Sequence, residues 1–157
     1  MRGGADRRVA ALTRLLASQA PGTTGLALRV PAAARAAFLA AHRTQVPSAA
    51  PLVVVVRNDE EAHRLADDLG AWLPSGHVRV LPERAALPLE RALPEHDESA
   101  ERLEVLAELG GRSRDLVVVA PLLALVQRTL AANQLREARV ELRVGGRIAQ
   151  RALLTAL

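Results

Sequence analysis

The stretch PLVVVVRNDEEAHRLADDL, residues 51–69, places a run of β-branched residues directly before an amphipathic segment. Residues 52–56 are apolar without alternation, which is typical of a strand covered on both faces in a parallel sheet. We expect this strand to lie centrally, because each fully buried valine stabilises the fold by about 1.5 to 3 kcal/mol. Residues 59–73 predict a helix, since their apolar residues have helical spacing and carboxylates occupy the first turn.

The same succession of strand and helix recurs on both sides of this stretch. Residues 25–30 predict a strand, and Pro31 suits the first turn of a helix over residues 32–43. Downstream the patterns predict, in order, a strand over 78–81, an irregular loop over 82–96, a helix capped by Asp97 and ended by Gly110 and Gly111, a strand over 116–119 and a helix over 121–130. This alternation favours a three-layer α/β domain with a parallel sheet and right-handed crossovers.

The two ends of the chain differ from this pattern. Residues 139–144 alternate between charged and apolar, which predicts a strand with one solvent-exposed face, and residues 149–157 begin an amphipathic helix. The chain therefore looks like a fragment of a longer protein. Asp6 can cap a first helix whose apolar residues recur at helical spacing, namely Val9, Leu12, Leu15 and Leu16. We predict an N-terminal helix and linker over 1–24, an α/β domain over 25–135, and the truncated start of a second small α/β domain over 136–157.

The composition excludes several kinds of protein. The 157-residue chain has a net charge of +4 and contains no lysine and no cysteine, which excludes disulfides, thiolate metal sites and cysteine nucleophiles. Phe38 and Trp72 are the only aromatic residues, too few for a base-stacking platform. No apolar run approaches the roughly 20 residues that a membrane span needs, and no signal-peptide pattern follows Met1. We therefore expect a cytoplasmic protein without membrane contact.

The junction between Leu28 and Arg35 is the place where a nucleotide-binding fold carries its phosphate loop. A P-loop needs glycines, a lysine and a serine or threonine, and this junction has none of them. Pro31 also removes an amide donor, so only Arg29 or Arg35 could neutralise a phosphate there. Because the chain contains no lysine, ATP hydrolysis by a standard P-loop is excluded. We expect no enzymatic activity and no bound cofactor in this chain.

Two acidic clusters resemble metal sites only superficially. Residues 59–63, DEEAH, are one position out of register with the box in which helicase carboxylates hold magnesium, so we interpret these carboxylates as the start of a helix. Residues 95–98, EHDE, are consecutive, and consecutive side chains seldom converge on one ion. The sequence therefore predicts no metal site and no catalytic residues.

The densest basic segment follows residue 135. Its candidate partner-binding residues are Arg139, Arg143, Arg147 and Arg151, with Arg136 just before them. On the strand interpretation, Arg139 and Arg143 share the solvent-exposed face with Glu141. This segment can bind an acidic partner or phosphates, or it can be an exposed edge that charge protects from aggregation.

The stretch LPERAALPLERALPEHDESAERLEVLAEL, residues 81–109, resembles the amino-terminal region of the bacterial transcription-repair coupling factor family. The residues that match in order and spacing are Leu87-Pro88, Glu90, Pro94, Asp97 and Arg102-Leu103. The resemblance continues through residues 115–128 and 141–157 and covers most of the chain from about residue 25. Arg84, Ala85 and Leu89 depart from the family pattern.

The resemblance implies a fold and a role. The family is similar here to excinuclease B, whose motor-like first domain carries a working P-loop and a tyrosine-rich hairpin that clamps DNA, and this chain lacks both. The resemblance thus implies a degenerate RecA-like domain that does not hydrolyse ATP. The whole coupling factor looks like an ATP-dependent DNA translocase that displaces stalled RNA polymerase and recruits excinuclease A for nucleotide excision repair.

For this chain, the resemblance implies a scaffold of the module that recruits excinuclease A. Contacts with RNA polymerase and with DNA belong to other parts of the full-length protein. The alternative is an α/β domain that binds nucleic acid through the arginines after residue 135.

Overall fold

The computed structural model of the chain describes residues 27–45, 50–84, 96–111, 115–140, 144–147, 149–151 and 154. The chain divides into two compact units, Met1–Gln127 and Arg128–Leu157. The three-part division expected from the sequence stays a prediction.

The described elements of the first unit follow the expected succession of helices and strands. They are a 3-10 turn at Ala32–Ala34, α1 (Arg35–Gln45), β1 (Leu52–Val56), α2 (Asp59–Gly70), β2 (Val78–Val80), α3 (His96–Gly110), β3 (Val117–Pro121) and α4 (Leu122–Val126). The second unit contains α5 (Ala132–Glu137). The helices and strands predicted between residues 32 and 126 are confirmed in kind, with ends that differ by a few residues.

The described part of the chain forms a sheet of three parallel strands in the order β1-β3-β2. Helix α2, which joins β1 to β2, packs on one face, and α3, which joins β2 to β3, packs on the other. From β1 to β2 the chain moves across the sheet in one direction, and from β2 to β3 it moves back. Two right-handed crossovers in opposite directions place their helices, α2 and α3, on opposite faces of the sheet. The predicted α/β class with a parallel sheet is confirmed.

The central strand of this sheet is β3, so the expectation that β1 lies centrally is wrong. Val117 lies opposite Leu52 of β1 and opposite Val78 of β2. All five residues of β3 are buried, whereas Val53 and Val55 of β1 are 43% and 51% exposed. Both strands contain an uninterrupted run of valines, four in β1 and three in β3. Periodicity alone therefore does not distinguish the strand with two neighbours from the one with one described neighbour.

Helices α1 and α2 cover one face of the sheet. Ala40 of α1 and Ala62 and Leu69 of α2 are buried against Val117 and Val119 of β3. Alanine at these positions lets the helices approach the sheet closely, and the packing excludes water from both strand valines. This core holds the first turns of α1 and α2 side by side at one edge of the sheet.

Helix α3 covers the opposite face. Val105 packs with Val118 and Ala120 of β3. Arg79 of β2 makes a bidentate ion pair with Glu108 of α3, with 3.0 Å between Nη2 and Oε1. The hydrogen bonds to Glu108 raise the pKa of the Arg79 guanidinium. The pair thereby ties α3 to the edge strand β2.

Several predicted elements of the first unit differ in detail. Residues 27–30 have no regular secondary structure, so the predicted strand over 25–30 is wrong there, and residues 25 and 26 lie outside the described residues. Helix α3 begins at His96, which places Asp97 inside the first turn instead of at the cap. Helix α4 ends at Val126, four residues earlier than expected, because Gln127 is extended and its side chain is bonded elsewhere. The predicted helix within residues 1–24 and most of the predicted loop over 82–96 lie outside the described residues.

The second unit departs further from expectation. The predicted strand over 139–144 is wrong for Arg139, Val140 and Val144, which lie in no strand, and residues 141–143 are outside the described part of the chain. Alternation produces a strand only where a neighbouring strand completes its hydrogen bonds, and among the described residues of this unit no strand is present. Residues 150, 151 and 154 are helical, in agreement with the helix expected there.

Candidate functional site at the carboxyl edge of the sheet

The carboxyl ends of β1 and β3 form a topological switch point. The two strands are neighbours, yet the chain leaves β1 toward the face of α2 and leaves β3 toward the opposite face, where Ala124 of α4 is buried. In open α/β sheets, ligands bind in the crevice outside the carboxyl ends of strands at such a point. This edge is therefore the candidate functional site of the fold.

A groove of about 660 Å³ lies at this edge. Most of its lining is apolar and comes from β1, from α1 and from the segment before α1, with Leu122 contributed by α4. The polar residues along it are Arg35, Arg57 and Glu61. The groove therefore offers apolar contact over most of its length and charge at one side.

On the charged side of the groove, Arg35 is paired with Glu61, and the exposed Arg57 contributes a second cation. Nη1 of Arg35 donates to Oε1 of Glu61 over 3.2 Å, and the backbone amide of Arg57 donates to Oε2 of the same carboxylate over 3.3 Å. The side chain of Arg35 is 51% exposed, and that of Glu61 is 28% exposed. Because the Arg35 cation faces a fixed carboxylate, an incoming anion meets a neutralised pair.

The N-terminus of α2 also disfavours an anion. Asn58 caps the helix, with its Oδ1 accepting from the amide of Glu61 over 3.0 Å. Oδ2 of Asp59 lies 3.3 Å from Nε2 of His63, one turn along the helix. Oε1 of Glu60 lies 2.8 Å from Nη2 of Arg64, again one turn along. The acidic cluster over residues 59–63 thus forms the start of a helix, as the sequence analysis interpreted it, and its carboxylates occupy the positive end of the helix dipole.

The junction between Val30 and Arg35, where a phosphate loop would lie, is a tight turn. The amide of Ala34 donates to the carbonyl of Pro31 over 2.9 Å, which closes the 3-10 turn before α1. Pro31 has no amide to donate, and the following alanines have no hydroxyl. Arg29 and Arg35, the two cations considered from the sequence, both lie beside this turn, and Arg35 is the one paired with Glu61.

A second polar cluster holds the chain after β2 against α4. Arg102 of α3 is 2% exposed and donates from Nη1 to the carbonyl of Pro82 over 2.7 Å and from Nη2 to the carbonyl of Ala124 over 2.8 Å. Gln127 forms a reciprocal pair with the backbone of Arg84, at 2.9 and 3.2 Å. Burial, together with the nearby Arg84 charge, lowers the pKa of Arg102. In the sequence, Arg102 stands out only through the family resemblance, because an arginine at helical spacing gives no sign of burial.

The predicted partner-binding arginines lie in the second unit. Arg139, Arg147 and Arg151 are exposed, and Arg143 lies outside the described residues. Arg136 is also exposed and donates from Nε to the carbonyl of Ala132 over 3.2 Å. The expected shared strand face is not formed, since Arg139 lies in no strand.

Two other expectations concern metals and membranes. Within the described ranges, no three histidine or acidic side chains are placed to share a metal ion. Glu95 lies outside these ranges, as do the side chains of residues 96–98. Among the described helices, none has the length and apolar character needed to cross a bilayer.

Comparisons with protein-family models, with curated proteins and with solved structures find no match for this chain. The resemblance to the coupling-factor family therefore stays a prediction from the sequence.

Proposed function

We propose that this chain is an α/β scaffold of a coupling-factor-like protein and has a degenerate RecA-like fold. It does not hydrolyse ATP and acts by contact with another protein. The observation that carries the proposal is the groove at the switch point. Its paired cation, Arg35, is neutralised by Glu61, and the turn at Pro31 lacks the glycines and hydroxyls of a phosphate loop. A motor ancestor keeps its nucleotide at this edge of the sheet.

The partner in this proposal is excinuclease A, and the contact lies in the segment that begins near Val140. The exposed Arg139 and Arg147 supply the charge for such a contact. Rim charges of this kind act mainly on the association rate and on the choice of partner. The match of residues 81–109 to the family pattern supports the choice of partner.

The experiment is a titration of the full chain with purified excinuclease A in a biosensor. We expect saturable binding that weakens about tenfold when Arg139→Glu and Arg147→Glu are combined. The matched control combines Arg29→Glu and Arg64→Glu, which make the same charge change at exposed positions of the first unit and should leave binding unchanged. No binding by the unsubstituted chain would contradict the proposal.

The alternative function is binding of nucleic acid through the same exposed arginines. It predicts binding of a DNA duplex with an affinity that decreases steeply as salt increases, because each phosphate contact releases counterions. Mobility-shift titrations at two salt concentrations, with the same two pairs of substitutions, distinguish the alternatives. Unchanged DNA mobility at low salt contradicts the nucleic-acid alternative.

A further inference from the structure

An apolar strip on β1 lies on the face of the sheet that α3 covers elsewhere. Val53 lies opposite Val118 of β3, and Val55 lies opposite Ala120. Partners in register point to the same side of a sheet, so these two valines face the side of α3. Val118 and Ala120 are fully buried, whereas Val53 and Val55 are exposed. Within the described residues, helix α3 therefore leaves this part of β1 uncovered.

The strip continues into the groove at the switch point. Val55 lines the groove together with Leu122, which is 58% exposed, and with Leu28. We call Val53, Val55 and Leu122 the β1 strip. Strands of parallel sheets are normally covered on both faces, so an exposed strip of this kind calls for a covering element.

We propose that residues 6–20 of this chain cover the β1 strip as an amphipathic helix. The segment has one apolar face, formed by Val9, Leu12, Leu15 and Leu16, and Asp6 at its predicted cap. The chain enters the described structure at Ala27, and Leu28 already lines the groove beside Val55. The N-terminal segment is thus joined to the described structure within the groove that Val55 lines.

The dimensions agree with this arrangement. A helix of about 14 residues is roughly 21 Å long, and a five-residue strand such as β1 spans roughly 16 Å. The six residues that connect the segment to Ala27 make seven Cα–Cα steps and reach at most roughly 25 Å. One helix can therefore lie along the whole of β1 without strain in the connection.

The experiment uses the full chain and the absence of natural cysteine. Val53→Cys introduces a single thiol on the strip, and its alkylation rate under native conditions reports how well the strip is covered. Leu12→Glu places a charge on the apolar face of the segment, whereas Ala10→Glu places the same charge on its opposite face. We expect Leu12→Glu to raise the labelling rate about tenfold or more, as loss of one buried leucine would, and Ala10→Glu to leave the rate unchanged.

Two further thiols make the result decisive. Val118→Cys, under α3, should stay unlabelled in the Leu12→Glu background, which separates local uncovering from general unfolding. Ser75→Cys, in an exposed turn, gives the rate of an open site. Equal labelling of Val53→Cys with Leu12→Glu and with Ala10→Glu would overturn the proposal. Protection that depends on protein concentration would also overturn it, because a second copy would then be the covering element.

Discussion

Arg35 and Glu61, 26 residues apart, meet at 3.2 Å across the first turns of α1 and α2. The pair is largely exposed, and exposed ion pairs contribute only about 0 to 1 kcal/mol to stability. The pair therefore affects the charge that a ligand would meet more than it affects the stability of the fold. The cation that follows the Pro31 turn is already paired at the edge where a nucleotide would bring its phosphates.

The buried Arg102 should be a major contributor to stability. Arg102→Met leaves the carbonyls of Pro82 and Ala124 without their charged donor, and each such hydrogen bond is worth about 1.5 to 3 kcal/mol. We expect a loss of about 3 kcal/mol in the free energy of unfolding, measured by urea denaturation. Arg64→Met removes an exposed arginine and should cost less than about 0.5 kcal/mol. Similar costs for the two variants would contradict this account.

The stability of the fold should decrease in mild acid because of His42. Burial, and then the neighbouring Arg43, lower the pKa of His42 below its ordinary 6.5, and its ring stacks on Phe38. As the pH falls below about 6.5, the unfolded chain takes up a proton on His42 that the folded chain does not. His42 therefore leaves the free energy of unfolding unchanged well above pH 6.5 and lowers it as the pH falls below that value.

The measurement for His42 is urea denaturation at pH 7.5 and pH 5.5. His42→Gln should reduce the decrease in stability, a contribution of at most about 1.4 kcal/mol per pH unit. His77→Gln keeps His42 and should therefore keep the decrease. An unchanged decrease in His42→Gln would show that another group causes it.

The strand order predicts unequal costs for two valines that lie opposite each other. Val119 of β3 is fully buried, and its partner Val54 of β1 is only partly buried. Val119→Ala should cost about 2 to 3 kcal/mol in the free energy of unfolding, and Val54→Ala about half as much. Equal costs in thermal or urea unfolding would contradict this expectation, and a larger cost for Val54→Ala would indicate that β1, and not β3, is the central strand.

The local sequence pattern predicts most of the helices and strands of this fold, but it does not predict the order of the strands in the sheet. The helix at Asp59–Gly70 has a clear apolar face and acidic first turn, so its start was predictable to the residue. The order of β1 and β3 was not, because both are short β-branched runs and only pairing over long sequence distances separates them. Arg139 and Val140 show the converse case: their segment alternates, yet they lie in no strand, and no strand is present among the described residues of the second unit.

In the candidate site too, features set by residue type were predictable, and contacts between distant segments were not. Residues at the Pro31 turn were predictable as unsuited to phosphate, since that conclusion depends on residue type alone. The Arg35–Glu61 pair and the burial of Arg102 were not predictable, because each joins segments that are 20 or more residues apart.

A thermal-shift titration of the full chain with ATP and magnesium tests the central claim most directly. We predict an unchanged Tm up to millimolar ATP, with inorganic phosphate as the matched anion control. A nucleotide bound with a Kd of about 10 µM would, at about 1 mM, stabilise the fold by roughly 2.7 kcal/mol, which corresponds to a rise in Tm of roughly 5 to 10 °C. A saturable rise of that size with ATP, and not with phosphate, would contradict a groove without nucleotide-binding chemistry.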